Sequence, residues 1–178
     1  DYGAPFAGSR QWWSGSGDDL DATMSRSVTL PAGAASLAFK ARWNIEVGDV
    51  KTGYSITMAP LVIKDKVLVG VGGGEYGIRG FVAAYDAKTG KEVWKFHTIP
   101  GPGEPGHDTW DGDDWKTGGA PAWVTGSYDP ALNLVYWGIG NPGPDWNPKQ
   151  RPGDNLYADC AIALDADTGK LKWYFQFT

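Results

Sequence analysis

Residues 72–80 read GGGEYGIRG, three glycines followed by a carboxylate at Glu75 and a guanidinium at Arg79. A carboxylate carries a charge that must be solvated or opposed by a partner. Glycine leaves a strand with nothing to pack. Three glycines after the apolar run 67–71 therefore imply either a turn or backbone pressed against something bulky. Glu75 is then a solvated turn residue, or it holds its charge beside that bulk. Other reactive groups are few. His97 and His107 are the two histidines, and no His-Glu-x-x-His zinc pattern contains them. Cys160 is the single cysteine, so no internal disulfide can form. Asp18, Asp19 and Asp21 make an acidic group that reads as a solvated turn, with calcium binding as the alternative.

The chain that must position these groups has 178 residues, 42% of them hydrophobic, enough for one ordinary domain or two small ones. Its net charge of −5, with no basic stripe, argues against a nucleic-acid partner. No apolar run approaches the length of a membrane helix. With 10 tryptophans and 26 glycines, short strands, tight turns and flat aromatic anchors are favoured over helices. The start at Asp1 without a leader, and the apolar strand pattern LKWYFQFT at the other end, suggest a piece of something longer.

An internal repeat organises the chain. AYDAKTGKEVWKF (84–96) returns as ALDADTGKLKWYF (163–175), with Asp86 and Asp165 standing 79 residues apart (165 − 86). Each copy reads as strand, Asp-x-x-Thr-Gly turn and strand, the exit strand carrying Trp94 or Trp173. A hairpin cannot bury its own tryptophan, so repeated hairpins with one each predict stacked sheets. Two β-rich runs in 55–72, around Lys64-Asp65, precede the first copy, and two more in 120–140, around Asp129-Pro130, precede the second. Two four-stranded units follow, about 54–97 and 119–178, the strand count of β-propeller blades. The stretches 98–119 and 141–155 are long Pro/Gly/Asp loops, of the kind that builds ligand sites or moves. Residues 1–49 lack the hairpin repeat and read as sandwich-like strands, with a composition boundary near Gly48 and a continuous strand across Ile45–Val50.

From about Val50 to Thr178 the chain resembles the pyrroloquinoline quinone (PQQ)-dependent alcohol dehydrogenases, the eight-bladed quinoprotein propellers. TMAP, GGGEYGIRGFVAAYDAKTGKEVW, GGAPAWVTGSYDP, YWGIGNPGPDWN and ALDADTGKLKWYF carry the resemblance, over about two blades. It implies an all-β fold, a partial propeller preceded by a short β segment. It implies PQQ held against calcium or a lanthanide, an alcohol substrate, and a periplasmic or extracellular location. By motif, Glu75 and Asn141 become cation ligands, Gly73 and Gly74 bring backbone up to the planar cofactor, Trp123 is the floor on which it stacks, and Thr57 meets its edge. Taken without the family, Asn141 sits in a common Asn-Pro-Gly turn, Trp123 reads as packing within a strand, and Thr57 as a β-former. Trp94 and Trp173 resemble the family's blade-docking tryptophans. The family's catalytic aspartate and quinone-binding arginine would fall beyond Thr178, and its adjacent-cysteine pair upstream of the matched stretch.

Residues 1–49 are similar to a non-catalytic β-sandwich segment of the immune inhibitor A metallopeptidases. Two unrelated resemblances in one chain suggest a composite. Two functions compete: part of a PQQ-dependent alcohol dehydrogenase, incomplete and inactive alone, or a non-catalytic β module or chimera. Two blades also leave two apolar faces uncovered, which predicts self-association or a larger assembly.

Overall fold

The computed structural model describes residues 45–177. The metallopeptidase-like stretch, with Asp18, Asp19 and Asp21, lies almost wholly outside them. The described residues are all-β, two four-stranded antiparallel sheets each ordered as a simple meander. The first contains β1 (Leu61–Ile63), β2 (Lys66–Gly70), β3 (Phe81–Asp86) and β4 (Glu92–His97). The second contains β5 (Ser127–Asp129), β6 (Leu134–Gly138), β7 (Cys160–Asp165) and β8 (Leu171–Gln176). The remaining regular segments are single 3-10 turns.

Three sequence expectations change in detail. No strand crosses Ile45–Val50: the backbone there is irregular and enters a 3-10 turn at Val50–Thr52. Asp49 accepts the Lys51 amide at 2.8 Å, and Gly53 closes the turn in the left-handed region, so local turn chemistry overrides the apolar pattern. The run from Ser55 becomes a strand only at Leu61, after Pro60, and the run from Ala120 only at Ser127, beyond Pro121. Proline cannot donate to a strand ladder, which confines the first strand to the residues beyond Pro60.

The repeated hairpins superpose residue for residue in their bonding. Asp86 accepts the Lys88 and Thr89 amides at 3.0 and 2.7 Å and the Thr89 hydroxyl at 2.8 Å. Asp165 accepts the Asp167 and Thr168 amides at 3.1 and 3.0 Å and the Thr168 hydroxyl at 2.9 Å. These bonds, the threonine hydroxyl first, hold both carboxyls below their ordinary range. Gly90 and Gly169 follow at φ 73 and 69, the conformation that glycine adopts without steric penalty. Ala84 pairs with Trp94 and Ala163 with Trp173, each beside a register irregularity.

Only one of the two tryptophans is buried. Trp94 is 7% exposed, and its indole N–H donates to the Ala166 carbonyl in the turn of the second sheet at 3.2 Å. A Cβ on Gly169 would lie 2.6 Å from the Trp94 ring, so the indole lies flat on a position that only glycine can provide. Around this contact Leu68, Val82, Val135, Trp137, Ile162 and Leu164 form the core between the sheets. The opposite face of the first sheet buries a second cluster built from Val69, Val71, Ile78, Phe81, Ala83 and Tyr85. Strand β3 is thus covered on both faces, and its residues 81–85 read as an unbroken apolar run before Asp86. Strand β8 has no such cover among the described residues: Trp173 and Phe175 are 45 and 60% exposed, and Phe177 just beyond it 63%.

Trp94→Ala should therefore cost about 3–5 kcal/mol of stability, the usual loss for a buried aromatic truncated to alanine. Trp173→Ala should cost about 1 kcal/mol or less, as expected of a partly exposed site. Urea unfolding at high dilution measures both, and equal losses would contradict this division of roles.

Candidate cofactor and cation site

The site is organised by a short irregular segment, residues 118–122, that forms no strand and turns through left-handed backbone at Gly119 and Ala120, φ 74 and 46. It is stitched to the first sheet by Gly119 N–H to Ile78 O at 2.9 Å, Gly80 N–H to Gly119 O at 2.9 Å and Ala122 N–H to Val71 O at 2.9 Å. It is stitched to the second by Ala120 N–H to Asn141 O at 3.0 Å, Gly140 N–H to Pro121 O at 2.8 Å and Gly143 N–H to Gly118 O at 2.7 Å. The buried Thr98 hydroxyl donates to Ala120 O at 2.6 Å, and the Trp137 indole to Ala122 O at 3.2 Å. Backbone approaches this closely only because side chains are missing. A Cβ on Gly70 or on Gly80 would come within 2.1 Å of the Ala122 or Ala120 carbonyl oxygen.

Glu75 lies in the 3-10 turn Gly74–Tyr76, exposed, and makes no hydrogen bond or ion pair with any described residue. Asn141 follows β6, half-buried. Its amide NH2 donates to an Asp145 carboxylate oxygen at 2.8 Å, which orients the group and leaves its carbonyl oxygen without a described donor. The backbones beside the two residues converge, since the Gly74 carbonyl lies 3.1 and 3.3 Å from where Cβ atoms on Gly119 and Gly143 would stand. No described group of three or more His, Cys, Asp and Glu side chains has a metal-binding arrangement. A carboxylate and an amide oxygen are, however, hard donors of the kind calcium and lanthanide ions take.

The opening glycines have partners inside the chain. Gly73, at φ 108, faces the Gly53 carbonyl, which a Cβ would approach to 2.0 Å, and a Cβ on Gly74 would lie 2.9 Å from the Pro121 ring. The bulk that these positions meet is the protein's own. Arg79 turns away from Glu75: its Nε donates to Ile99 O at 2.9 Å, its guanidinium pairs with Glu104 at 3.1 Å, and it lies 4.8 Å from the Trp115 ring centroid.

Trp123 lies outside the strands and is 52% exposed, so the packing reading of this residue fails. The Thr57 hydroxyl donates to the Trp123 carbonyl at 3.1 Å, placing the two side by side. Gly72 is the floor beneath both, since a Cβ there would lie 3.5 Å from Trp123 Cβ and 3.6 Å from Thr57 Oγ1. The remaining reactive groups are occupied. Cys160 is buried, its thiol pushed up to about 12 by burial, and it donates to Ala158 O at 3.2 Å. Burial, then the Arg79 charge, hold the His97 imidazole below its ordinary value.

The loops around the site are packed against each other. Leu156 N–H donates to Thr109 Oγ1 at 2.9 Å, and Tyr157 N–H to Thr98 O at 2.8 Å. Arg151 donates to Pro144 O at 3.1 Å and to the side chain of buried Asn155 at 3.0 Å. Sequence reasoning missed Asp145, which steadies Asn141, and the stitching segment itself. The only available signal was the Gly-Gly-Ala-Pro that breaks strand alternation at 118–121.

Four-stranded meanders docked through tryptophans are the arrangement of neighbouring β-propeller blades. The family model for the PQQ glucose/ethanol/alcohol dehydrogenase β-propeller domain matches residues 36–178, and the chain belongs to that family. Its start at residue 36 overlaps the end of the metallopeptidase-like stretch. The chain is 44% identical to quinoprotein alcohol dehydrogenase PedH of Pseudomonas putida over 78% of its own length and 26% of the relative's. It is 46% identical to the lanthanide-dependent methanol dehydrogenase of Methylorubrum extorquens, again over 78% of this chain and 26% of the relative. Among solved structures it is similar to a europium-containing methanol dehydrogenase, with TM-score 0.68 and 46% identity over 74% of this chain and 26% of that one. The chain thus spans about a quarter of the length of these relatives.

The glycine contacts carry a direct expectation. Gly73→Ala forces a Cβ into the Gly53 carbonyl at a positive φ and should cost about 2 kcal/mol or more. Gly138→Ala, with nothing within 4 Å of the added Cβ, should be close to neutral. Thermal or urea unfolding compares the two, and equal stabilities would remove the packing account of Gly73.

Proposed function

We propose that this chain carries part of the cofactor and cation site of a PQQ-dependent alcohol dehydrogenase. Glu75 supplies a carboxylate and Asn141 an amide oxygen to calcium or a lanthanide, with Asp145 keeping the amide oriented. Trp123 is the flat surface on which the quinone stacks, Thr57 lies at its edge, and Gly73 and Gly74 keep the adjoining backbone close. When bound, the cation acts as a Lewis acid on a quinone carbonyl. The carrying observation is that the segments bearing Glu75 and Asn141 meet at Gly119, while the ligating oxygens of both stay unused by other described residues. The exposed Trp123, joined to Thr57, supports the cofactor assignment. The natural substrate class is an alcohol, and the location periplasmic or extracellular. No described helix is long and apolar enough to cross a membrane.

The test is retention of PQQ by the chain with calcium or lanthanum, followed by quinone absorbance and quenching of tryptophan fluorescence. Glu75→Gln should weaken cation-dependent retention by about tenfold or more, because a charged hard ligand becomes a neutral one. Trp123→Ala should weaken quinone binding at every cation concentration. Retention unaffected by either substitution would reject the site.

Alcohol turnover by the chain alone should remain at the level of a buffer blank, even with PQQ and cation added. Removal of the alcohol proton needs a positioned general base, and none of the matched motifs carries that aspartate. Dye-linked oxidation well above the blank, abolished by Glu75→Gln, would contradict this.

A further inference from the structure

Asn141 takes its orientation from a carboxylate in a loop that contains no strand. Asp145 accepts from the Asn141 NH2 at 2.8 Å, and the other contact of that group, to Pro142 O, is long at 3.4 Å. Residues 141–155 hold one 3-10 turn, Pro148–Gln150, and no ladder fixes residues 144 and 145. The side chain that reaches them is half-buried Arg151. Its Nε donates to Pro144 O at 3.1 Å, and Nη2 lies 3.5 Å from Asp145 O. Nη1 donates to Asn155 Oδ1 at 3.0 Å. Three nitrogens of one plane thus face three different acceptors, which a guanidinium can do and a single ammonium cannot.

The far end of this contact is anchored. Asn155 is 2% exposed, and its buried amide oxygen needs the donor that Arg151 supplies. The Asn155 backbone N–H donates to Thr109 O at 3.1 Å, and its side-chain NH2 to the same carbonyl at 3.3 Å. A Cβ on Gly153 would stand 2.3 Å from Thr109 O, so the end of this loop is pressed onto the 98–119 loop. Contacts therefore run from Thr109 through Asn155 and Arg151 to the 144–145 backbone, and from the Asp145 carboxylate to Asn141. Charge alone gives Arg151 the opposite effect, because a positive group on the loop that carries a cation ligand repels the cation. Geometry and charge thus predict opposite signs for its removal.

We propose that Arg151 is a positioning residue for the cation site, holding the Pro144–Asp145 backbone so that Asp145 engages the Asn141 NH2 and leaves the amide oxygen to the cation. The proposal rests on the reading of Glu75 and Asn141 as cation ligands. Partners directly behind a metal ligand change affinity by about 10–100-fold, and one contact further back the expected change is about fivefold.

The probe is europium(III), added with PQQ to the full chain. Two quantities are read: the europium concentration giving half-maximal PQQ retention, and the number of waters on the ion, from luminescence decay in water and in heavy water. Arg151→Lys keeps the charge and loses the fork; Arg151→Gln loses both. Each should raise the half-maximal concentration about fivefold and add coordinated water, as Asn141→Ala does. In an Asn141→Ala background neither should have a further effect, because the route through Asn141 is already gone. Circular dichroism and a cooperative melt identify the folded variants, and either one suffices for the comparison. Unchanged binding in a folded Arg151 variant, tighter binding in Arg151→Gln, or an equal loss with and without Asn141 would overturn the proposal. Asn141→Ala without effect would overturn the cation-ligand reading as well. Weakening by Asn141→Ala but not by the Arg151 variants would overturn this inference alone.

Discussion

The segment 118–122, held by backbone hydrogen bonds to both sheets at once, is the constraint on which the rest of the site depends. It carries little side-chain bulk, and the positions facing it are glycines where any Cβ would collide with a carbonyl oxygen. That closeness draws Gly74 and Gly143 together at Gly119, and so sets Glu75 and Asn141 on neighbouring stretches of backbone. Backbone partners, with the Thr98 hydroxyl on Ala120 O and the Trp137 indole on Ala122 O, satisfy the polar groups of this buried, irregular segment. Residues on either side of the segment are then free to face outward, as Trp123 does.

Burial of the tryptophan joint complements this polar stitching. Trp94 combines a large apolar area with one directed hydrogen bond, and Ala166 and Gly169 give it a shaped seat. The neighbouring pair of Lys64 with Asp167 is exposed to solvent and adds orientation more than stability. Both blades belong to one compact unit, and Trp110, Asn155 and Tyr157 bond its long loops to one another.

The same economy separates side chains committed to the fold from those left available. Trp94 and Trp137 are buried, with their indole N–H groups committed to carbonyls of the chain. Trp123 presents half its surface outward, which leaves a flat apolar ring available to a planar ligand. Asn141 shows a comparable division within one side chain, its donors engaged by Asp145 and its acceptor left available. A neutral amide oriented by a nearby carboxylate is a stable way to hold an oxygen donor in place.

The sequence by itself determined the elements that local chemistry controls. The Asp-x-x-Thr-Gly turns, with their capping aspartates and left-handed glycines, are closed by bonds within five residues, so their pattern is legible in either copy. The strand alternation around them determined the two four-stranded sheets. Motif resemblance indicated the family and the candidates Glu75, Asn141, Trp123 and Thr57. Tertiary structure decided what depends on distant partners. Nothing local distinguishes Trp94 from Trp173, yet one is buried because a second sheet presents Ala166 and Gly169 to it. Nor does the run 118–122 announce itself as a joint, because its bonds reach residues more than 15 positions away on both sides. The role of Asp145 was hidden for a different reason: a carboxylate four residues from Asn141 in a proline-rich loop reads as solvated until the fold of that loop turns it back onto the amide.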